Sequence, residues 1–413
     1  MQELRREELK KICLVSNLDV ILIDSPENLR YYTGFTGGEA VFLLVCDNEN
    51  SVLSNIDIYK NNNNVCEINV LSEKGMCIIT DSRYYEQVEK ECLDIPLIKL
   101  SNRTYIEVIR ELFDKYSLYK NTQKQSECLH RDAGRQSVMS NDTDIDGGFN
   151  IAVEASMNLS RYLKLKDSLT GCELIVSGDL INTPRMVKDE TELGLIGRAE
   201  AIGDEAFEHI LSIIKPGLTE REIALELEYY MKKKGASKLS FDTIVASGPN
   251  SSMPHAQVTD RIIEKGDFVT MDFGCVYKGY CSDMTRTVAV GTPTDEMRKV
   301  YQTVLDANLR AMDGIRAGVK CSDIDALARD YIKSMGYGEY FGHGLGHSVG
   351  LFIHEEPRFS PKCDTITKEN MVITDEPGIY LPGKFGVRIE DLVVVKENGY
   401  EVLSNSPKEL IIL

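Results

Sequence analysis

Two acidic residues lie on segments that the sequence predicts to be paired strands, and their spacing favours a cation site. The strand patterns 268–273 (FVTMDF) and 281–290 (CSDMTRTVAV) flank the short connection GCVYKG, which suits a hairpin turn. With that turn centred on residues 277–278, Asp272 and Asp283 are expected to lie opposite each other, with Cβ atoms about 4.5–5.5 Å apart. Two carboxylates at that separation repel each other, and a bound cation would remove the repulsion.

A second pair of carboxylates repeats this arrangement later in the chain. The strand pattern 371–380 (MVITDEPGIY) is followed by the turn LPGKFG and by the strand VRIEDLVVV. Glu376 and Glu390 are symmetric about Gly383, so a turn at that glycine places them opposite each other. Two such pairs facing each other would form a cage of four carboxylates. With a histidine added, that cage suits two hard to borderline divalent ions such as Mn²⁺.

The histidines are few, and they cluster beside these carboxylates. The chain has 6, and 3 of them lie in the glycine-rich run FGHGLGHSVGLFIHEEP: His343, His347 and His354. A lone histidine is more often structural than a ligand, but such a cluster among glycines predicts site residues. His255 also lies in this half of the chain.

Two segments 101 residues apart resemble each other, namely 215–235 (KPGLTEREIALELEYYMKKKG) and 316–336 (RAGVKCSDIDALARDYIKSMG). Each has a glycine near both ends, follows a predicted long helix and precedes strand patterns. This indicates a duplicated helix–helix–strands unit with a pseudo-twofold axis. Chance similarity between two amphipathic helices is the alternative.

The first part of the chain has a different organisation, in which short helix and strand patterns alternate. The predicted helices are 3–15 and 83–91, and the predicted strands are 20–23, 40–46 and 77–80. A long amphipathic helix then begins, with Asp189 or Thr191 as its N-cap. We therefore predict two domains, 1–182 and 183–413. The polar segments 60–64 and 120–150 are interpreted as insertions.

Composition excludes several classes of function. A chain of 413 residues favours two domains, and a net charge of −18 disfavours nucleic acid as a partner. The sequence has neither a secretory signal pattern nor a long apolar span, so we expect a cytoplasmic protein with no membrane partner. The 11 cysteines form no C-x-x-C pair. This argues against a zinc ribbon, and Cys275 and Cys281 are interpreted as structural.

The chain resembles the pita-bread metallopeptidases, which include methionine aminopeptidase, aminopeptidase P and prolidase. The resemblance covers 185–413 and rests on the runs SGPNSSMPH, MDFGCVYKGYCSDMTRT, FGHGLGHSVGLFIHEEP, TDEPGIY and GVRIED. NLRYYTGFTGG and TDSRYYEQ more loosely resemble the creatinase-type N-terminal domain. The resemblance implies an α+β fold. A C-terminal pita-bread (creatinase/aminopeptidase) domain with pseudo-twofold halves would follow an N-terminal α/β creatinase-like domain.

The resemblance also implies roles for individual residues. The implied metal ligands are Asp272, Asp283, His347, Glu376 and Glu390. They would hold two divalent ions, with Asp283 and Glu390 bridging them and a hydroxide between them as the nucleophile. Glu376 would shuttle the proton, which makes it catalytic as well. His255 and His354 would be catalytic and would contact the substrate, while His343 and Arg388 would shape a proline pocket.

Alternatives remain within and outside this family. Methionine aminopeptidase is disfavoured because it lacks the large N-terminal domain and the arginine of GVRIED. We favour an Xaa-Pro aminopeptidase, acting on peptides with proline at the second position, over an Xaa-Pro dipeptidase. A metal-free binding protein or a creatinase-like enzyme is a remote alternative. The resemblance suggests a homodimer or higher oligomer. The chain departs from the family at Asp375 and Phe352, and alternation along the strand predicts that Asp375 points away from the metals.

Overall fold

The computed structural model describes residues 1–46, 75–114 and 149–413. These residues form two compact units, Met1–Pro184 and Arg185–Leu413. The predicted insertion at 60–64 and nearly all of 120–150 lie outside the described residues.

The first unit is built on a six-stranded mixed sheet with the strand order β4-β3-β2-β1-β5-β6. The strands are β1 Val20–Ile23, β2 Val41–Val45, β3 Met76–Thr80, β4 Leu97–Lys99, β5 Asn150–Val153 and β6 Glu173–Val176. The helices are α1 Gln2–Val15, α2 Pro26–Thr33, α3 Tyr85–Glu91, α4 Leu159–Ser168 and α5 Gly178–Asn182, and residues 105–114 are also helical. All four residues of β1 are buried, which explains its uninterrupted apolar sequence.

Four long helices organise the second unit. They are α6 Glu190–Leu211, α7 Glu220–Lys233, α8 Asp295–Gly314 and α9 Cys321–Ser334. Asp189 is the N-cap of α6, as one of the two sequence alternatives predicted, and forms a capping box with Glu192. Thr219 caps α7 in the same way, together with Glu222. In both helices the side chains satisfy backbone N–H groups that the first turn leaves without partners.

The predicted internal repeat is confirmed. Helices α7 and α9 begin 101 residues apart and end 101 residues apart. The glycines before them, Gly217 and Gly318, have φ of +98° and +84°. The glycines after them, Gly235 and Gly336, have φ of +106° and +88°. The left-handed region favours glycine, so the matched glycines reflect matched backbone turns.

The strands of the second unit form several small antiparallel sheets, with the orders β12-β9-β8, β11-β10-β7, β14-β13-β15-β18-β19 and β16-β17. The strands of the first half are β7 Lys238–Leu239, β8 Ile244–Ser247, β9 Phe268–Phe273, β10 Cys275–Tyr277, β11 Tyr280–Cys281 and β12 Met284–Ala289. Those of the second half are β13 Gly346–Ser348, β14 Glu355–Phe359, β15 Val372–Asp375, β16 Gly378–Leu381, β17 Phe385–Arg388, β18 Asp391–Lys396 and β19 Gly399–Val402. Each half has its own apolar cluster beneath its helices.

The predicted register of the first carboxylate hairpin is wrong. In β9 and β12, Asp272 pairs with Thr285 and not with Asp283. The turn falls on Lys278 and Gly279, whose φ angles are +44° and +89°. Two-residue hairpin turns that match strand twist require positive φ at both positions, and glycine meets this requirement at the second. The shift places Asp283 diagonally from Asp272 on the same face of the hairpin.

The predicted register of the second hairpin is confirmed. Asp375 pairs with Asp391 in β15 and β18, and Gly378 pairs with Arg388 in β16 and β17. Both pairs are symmetric about Gly383, which has φ of +71°. Glu376 and Glu390 lie between these pairs in the same register.

Candidate metal centre and active site

The nine residues selected from the sequence line a single cavity in the second unit, with a volume of about 880 Å³. They come from both halves of the duplicated unit and are His255, Asp272, Asp283, His343, His347, His354, Glu376, Arg388 and Glu390. The cavity therefore lies where the two repeats meet.

Three of these residues converge closely enough to share a cation. Ligand atoms of Asp283, His347 and Glu390 all lie within 4.8 Å of one another, and the three residues are buried. His347 Nε2 is 3.4 Å from Asp283 Oδ2 and 3.6 Å from Glu376 Oε1. Metal–ligand bonds of roughly 2.0–2.6 Å put two ligands of one ion at about such separations.

Asp272 adds a further donor atom to this group. Its Oδ1 is buried and has no hydrogen-bond partner among the described residues, while its Oδ2 accepts a hydrogen bond from Arg388 Nη2 at 2.5 Å. Leaving a buried carboxylate oxygen without a partner is costly. A cation bound at Oδ1 would remove that cost, so the donor set fits the metal that the sequence predicts.

The electrostatics of the cavity also fit a cation. Burial, with the charges of Glu390 and Asp272, raises the pKa of Asp283 well above its ordinary value. Burial and neighbouring carboxylates likewise raise the pKa of Glu390. Burial raises the pKa of Glu376 to about 8, although the charge of Arg388 opposes that shift. Carboxylates gathered in this way can all ionise only when positive charge lies among them.

His347 is suited to be a neutral ligand within this acidic group. Burial, and then the nearby His354, lowers the pKa of His347 to about 3. Its Nδ1 lies 3.2 Å from the carbonyl oxygen of Ser348, which leaves Nε2 towards Asp283 and Glu376. A backbone carbonyl that holds one imidazole nitrogen fixes which nitrogen is free to bind a metal.

A hydrogen-bonded network stands behind the carboxylates. The Arg388 guanidinium donates from Nε to Thr285 Oγ1 at 3.0 Å and from Nη1 to the Tyr380 hydroxyl at 2.9 Å. Thr285 Oγ1 in turn donates to Glu390 Oε2 at 2.6 Å. Arg388 lines the cavity as predicted, yet it is 4% exposed and mainly holds two carboxylates in place, Asp272 directly and Glu390 through Thr285.

The other predicted histidines surround the cavity in two different environments. His343 is held by the Tyr380 hydroxyl at 3.0 Å from its Nε2 and by the Gly344 carbonyl oxygen at 2.8 Å from its Nδ1. His255 and His354 are more exposed within the same cavity. The His354 ring lies edge-on to that of His347, with ring centroids 4.5 Å apart. His255 and His354 can therefore reach a substrate, whereas His347 is enclosed among the carboxylates.

Sequence reasoning missed Thr285 and Tyr380 as members of the site. Both lie inside runs that carry predicted residues. Thr285 lies in β12, two residues after Asp283 in the sequence, and alternation along an extended chain puts both side chains on one face. Asp375 does not line the cavity, in agreement with the predicted orientation. Both of its carboxylate oxygens are buried and have no hydrogen-bond partner within the described part of the chain. Phe352 is 47% exposed.

Comparison with known proteins identifies the class to which this fold and site belong. Residues 194–397 match Metallopeptidase family M24, and residues 5–187 match the Creatinase/Prolidase N-terminal domain. The chain belongs to metallopeptidase family M24 and combines a creatinase-type N-terminal domain with a pita-bread C-terminal domain. Members of this family bind divalent metals.

Particular relatives resemble the chain over most of its length. The Xaa-Pro dipeptidase from Bacillus anthracis has 38% sequence identity and a TM-score of 0.81, with 100% of both chains covered. The X-Pro aminopeptidase from Thermotoga maritima MSB8 has 34% identity and a TM-score of 0.78, with 99% of both chains covered. The Xaa-Pro dipeptidase of Pyrococcus furiosus is 43% identical over 261 residues, which are 63% of this chain and 75% of the relative.

None of the described helices combines the length and apolar character needed to cross a bilayer.

Proposed function

We propose that this chain is an Xaa-Pro dipeptidase that works with two divalent metal ions, Mn²⁺ being the best suited. The observation that carries the proposal is the convergence of Asp283, His347 and Glu390 within 4.8 Å. Asp272, whose Oδ1 has no hydrogen-bond partner among the described residues, and the neighbouring Glu376 line the same cavity. Four carboxylates and one histidine form an oxygen-rich donor set of the kind that suits Mn²⁺.

The chemistry of the proposed reaction divides between the metals and the protein. Two divalent ions would supply a nucleophile at neutral pH and polarise the scissile carbonyl. The Glu376 carboxylate lies 3.6 Å from His347 Nε2, beside the proposed metal ligands. From there it would accept the proton of the attacking water and pass it to the proline nitrogen. His255 and His354 would donate hydrogen bonds to the oxyanion that develops on the carbonyl oxygen.

The proposed substrate explains why the site differs from that of a general peptidase. The bond before proline is a tertiary amide without an N–H, so a hydrogen bond to that group cannot select it. The cavity wall at His343 is instead fixed by hydrogen bonds to the Tyr380 hydroxyl and the Gly344 carbonyl oxygen. A rigid wall can recognise the pyrrolidine ring by its shape.

Relatives support a dipeptidase better than the aminopeptidase that the sequence favoured. The similar proteins from Bacillus anthracis and Pyrococcus furiosus are both Xaa-Pro dipeptidases. The aminopeptidase remains a second candidate because the X-Pro aminopeptidase from Thermotoga maritima is similar over 99% of both chains. The metal-free alternatives are less well supported, since all five proposed ligand residues line one cavity.

A comparison of substrate lengths tests the proposal. The purified protein, loaded with Mn²⁺, would be assayed on an Xaa-Pro dipeptide and on an Xaa-Pro-Yaa-Zaa tetrapeptide with the same first residue. We expect cleavage of the dipeptide, little cleavage of the tetrapeptide, and loss of activity with EDTA. Faster cleavage of the tetrapeptide would identify an aminopeptidase.

The metal part of the proposal has its own variant. We expect Asp283→Ala to lose activity and to retain fewer than two metal equivalents. Asp242, an acidic residue that also lines the cavity but lies outside the proposed ligand set, provides the matched control. Asp242→Ala should retain the wild-type metal content, and unchanged metal content in Asp283→Ala would overturn the proposed ligand set.

A further inference from the structure

A buried carboxylate outside the proposed metal site holds the segment that carries His255. Glu220 is the first residue of α7 and is 0% exposed. Its Oε1 accepts hydrogen bonds from the backbone N–H and the hydroxyl of Ser247, at 2.7 and 2.8 Å. Its Oε2 accepts from the backbone N–H and the hydroxyl of Thr259, at 3.1 and 2.5 Å. One side chain therefore joins the two ends of the segment 247–259.

The same carboxylate also reaches the interior of that segment. Asn250 Nδ2 lies 3.1 Å from Glu220 Oε1 and 3.3 Å from Oε2. Pro254 and His255, near the middle of the segment, line the cavity. The Pro254 carbonyl oxygen accepts from Arg388 Nη1 at 3.2 Å. The Glu220 carboxylate thus contacts both ends and the interior of the segment that carries His255.

The chemistry of these contacts requires a carboxylate. Every group that faces Glu220 in them is a donor, and an ionised carboxylate offers only acceptor sites, about four in number. A glutamine amide would turn an NH₂ group towards at least one of those donors. The N-terminus of a 14-residue helix also favours a negative charge at this position.

The second half of the duplicated unit shows that the helix itself does not need this glutamate. The residue equivalent to Glu220, 101 positions later, is Cys321, which likewise begins its helix. Ser348 lies 101 positions after Ser247, each is the last residue of its strand, and the Ser348 hydroxyl accepts a hydrogen bond from Lys188 Nζ at 2.8 Å. The two halves therefore anchor corresponding segments by different means, and Glu220 is specific to the segment that carries His255.

We propose that Glu220 is a positioning residue that acts through His255, setting the place of its imidazole in the cavity. This inference rests on the proposed function, in which His255 contacts the oxyanion. It predicts that loss of the Glu220 contacts lowers kcat, leaves the metal content unchanged, and has no further effect once the His255 imidazole has been removed.

A double-mutant cycle with the Mn²⁺-loaded protein tests the proposal. Glu220→Gln should lower kcat on an Xaa-Pro dipeptide at least about tenfold in the wild-type background. In the His255→Ala background the same change should alter kcat less than about twofold. The matched control is Glu222→Gln, because Glu222 is a capping residue of the same helix that bonds Thr219 and not the segment. That control should keep wild-type kcat.

The possible outcomes distinguish a failure of the positioning role of Glu220 from a failure of the proposed role of His255. An equal loss from Glu220→Gln in both backgrounds would overturn the positioning role, because a merely structural residue affects both alike. Full activity in His255→Ala itself would instead overturn the role of His255 in the proposed function. Should Glu220→Gln fail to fold, Thr259→Val removes a single donor at one end of the segment. The same cycle with that variant should show the same dependence on His255, and independence from His255 would again contradict the proposal.

Discussion

Thr285 Oγ1 donates a hydrogen bond of 2.6 Å to Glu390 Oε2, although 105 residues separate the two in the chain. The same hydroxyl accepts from Arg388 Nε at 3.0 Å, and Arg388 in turn bonds Asp272. One hydroxyl thus connects two proposed metal ligands from opposite halves of the duplicated unit. Such outer contacts orient ligands and set metal affinity.

This relationship predicts that Thr285→Val weakens metal binding. Valine keeps the shape of threonine but removes both hydrogen bonds, so Glu390 loses its orienting contact. We expect the Mn²⁺ dissociation constant, measured by titration calorimetry on the metal-free protein, to rise about 10–100-fold. Thr285→Ser should restore most of the affinity. Thr303→Val, which alters a buried threonine whose hydroxyl donates to the Lys299 carbonyl oxygen within α8, is the control, and an equal loss in that variant would contradict the prediction.

The raised carboxyl pKa values predict how the stability of the metal-free protein depends on pH. Burial raises the pKa of Glu376 from 4.5 to about 8 in the folded state, and burial also raises the pKa values of Asp283 and Glu390. A carboxyl whose folded pKa is raised contributes stability that is fully present below its unfolded pKa. That contribution is lost as the pH rises from about 4.5 through about 8.

We therefore expect the melting temperature of EDTA-treated protein to fall between pH 5.5 and pH 8, and Mn²⁺ to raise it more at pH 8. Differential scanning fluorimetry at the two values measures both effects. Glu376→Gln removes one of the titrating groups and should make the dependence of the metal-free protein shallower. An unchanged dependence in that variant would show that the pKa of Glu376 is not raised.

The sequence indicated nine residues that the fold brings to one cavity, but it did not indicate the contacts that hold them. The register of the second hairpin was predictable because Gly383 marks the centre of its turn. The turn of the first falls one residue later than predicted because it is set by positive φ at Lys278 and Gly279, and of these two only glycine favours that conformation. The contacts of Thr285 and Glu220 join residues far apart in the sequence, so no local sequence pattern predicts them. The homodimer and the cytoplasmic location stay predictions.

The cavity histidines are predicted to act on the reaction and not on metal binding. His255→Ala and His354→Ala should each keep two metal equivalents and lose about 100–1000-fold in kcat, since each would remove a donor to the developing oxyanion. His209→Ala is the control, because His209 pairs with Glu226 on the helices α6 and α7. Loss of metal from either cavity variant, with kcat restored when metal is added back, would make that histidine a ligand.

Substrate selectivity and the buried Arg388 can be tested together. The wild-type protein should cleave an Xaa-Pro dipeptide at least about 100-fold faster, in kcat/KM, than the matched Xaa-Ala dipeptide. Arg388 is 4% exposed and donates to Asp272, Tyr380 and Thr285. Its guanidinium N–H groups are thus hydrogen-bonded within the protein and hold the site in place. We therefore expect Arg388→Ala to lower the rates on both substrates alike.

The same variant should also bind Mn²⁺ more weakly. Asp272 Oδ2 would lose its hydrogen-bond donor, and leaving a buried carboxylate oxygen without a hydrogen bond is costly. Tyr380→Phe gives the comparison. It removes the hydroxyl that lies 3.0 Å from His343 Nε2, leaves the direct Arg388–Asp272 contact in place, and so should spare the metal affinity. If Arg388→Ala instead reduced cleavage of Xaa-Pro to the level of Xaa-Ala with metal affinity intact, Arg388 would recognise proline directly. Selectivity that persists while metal affinity falls would place its role in holding the carboxylates.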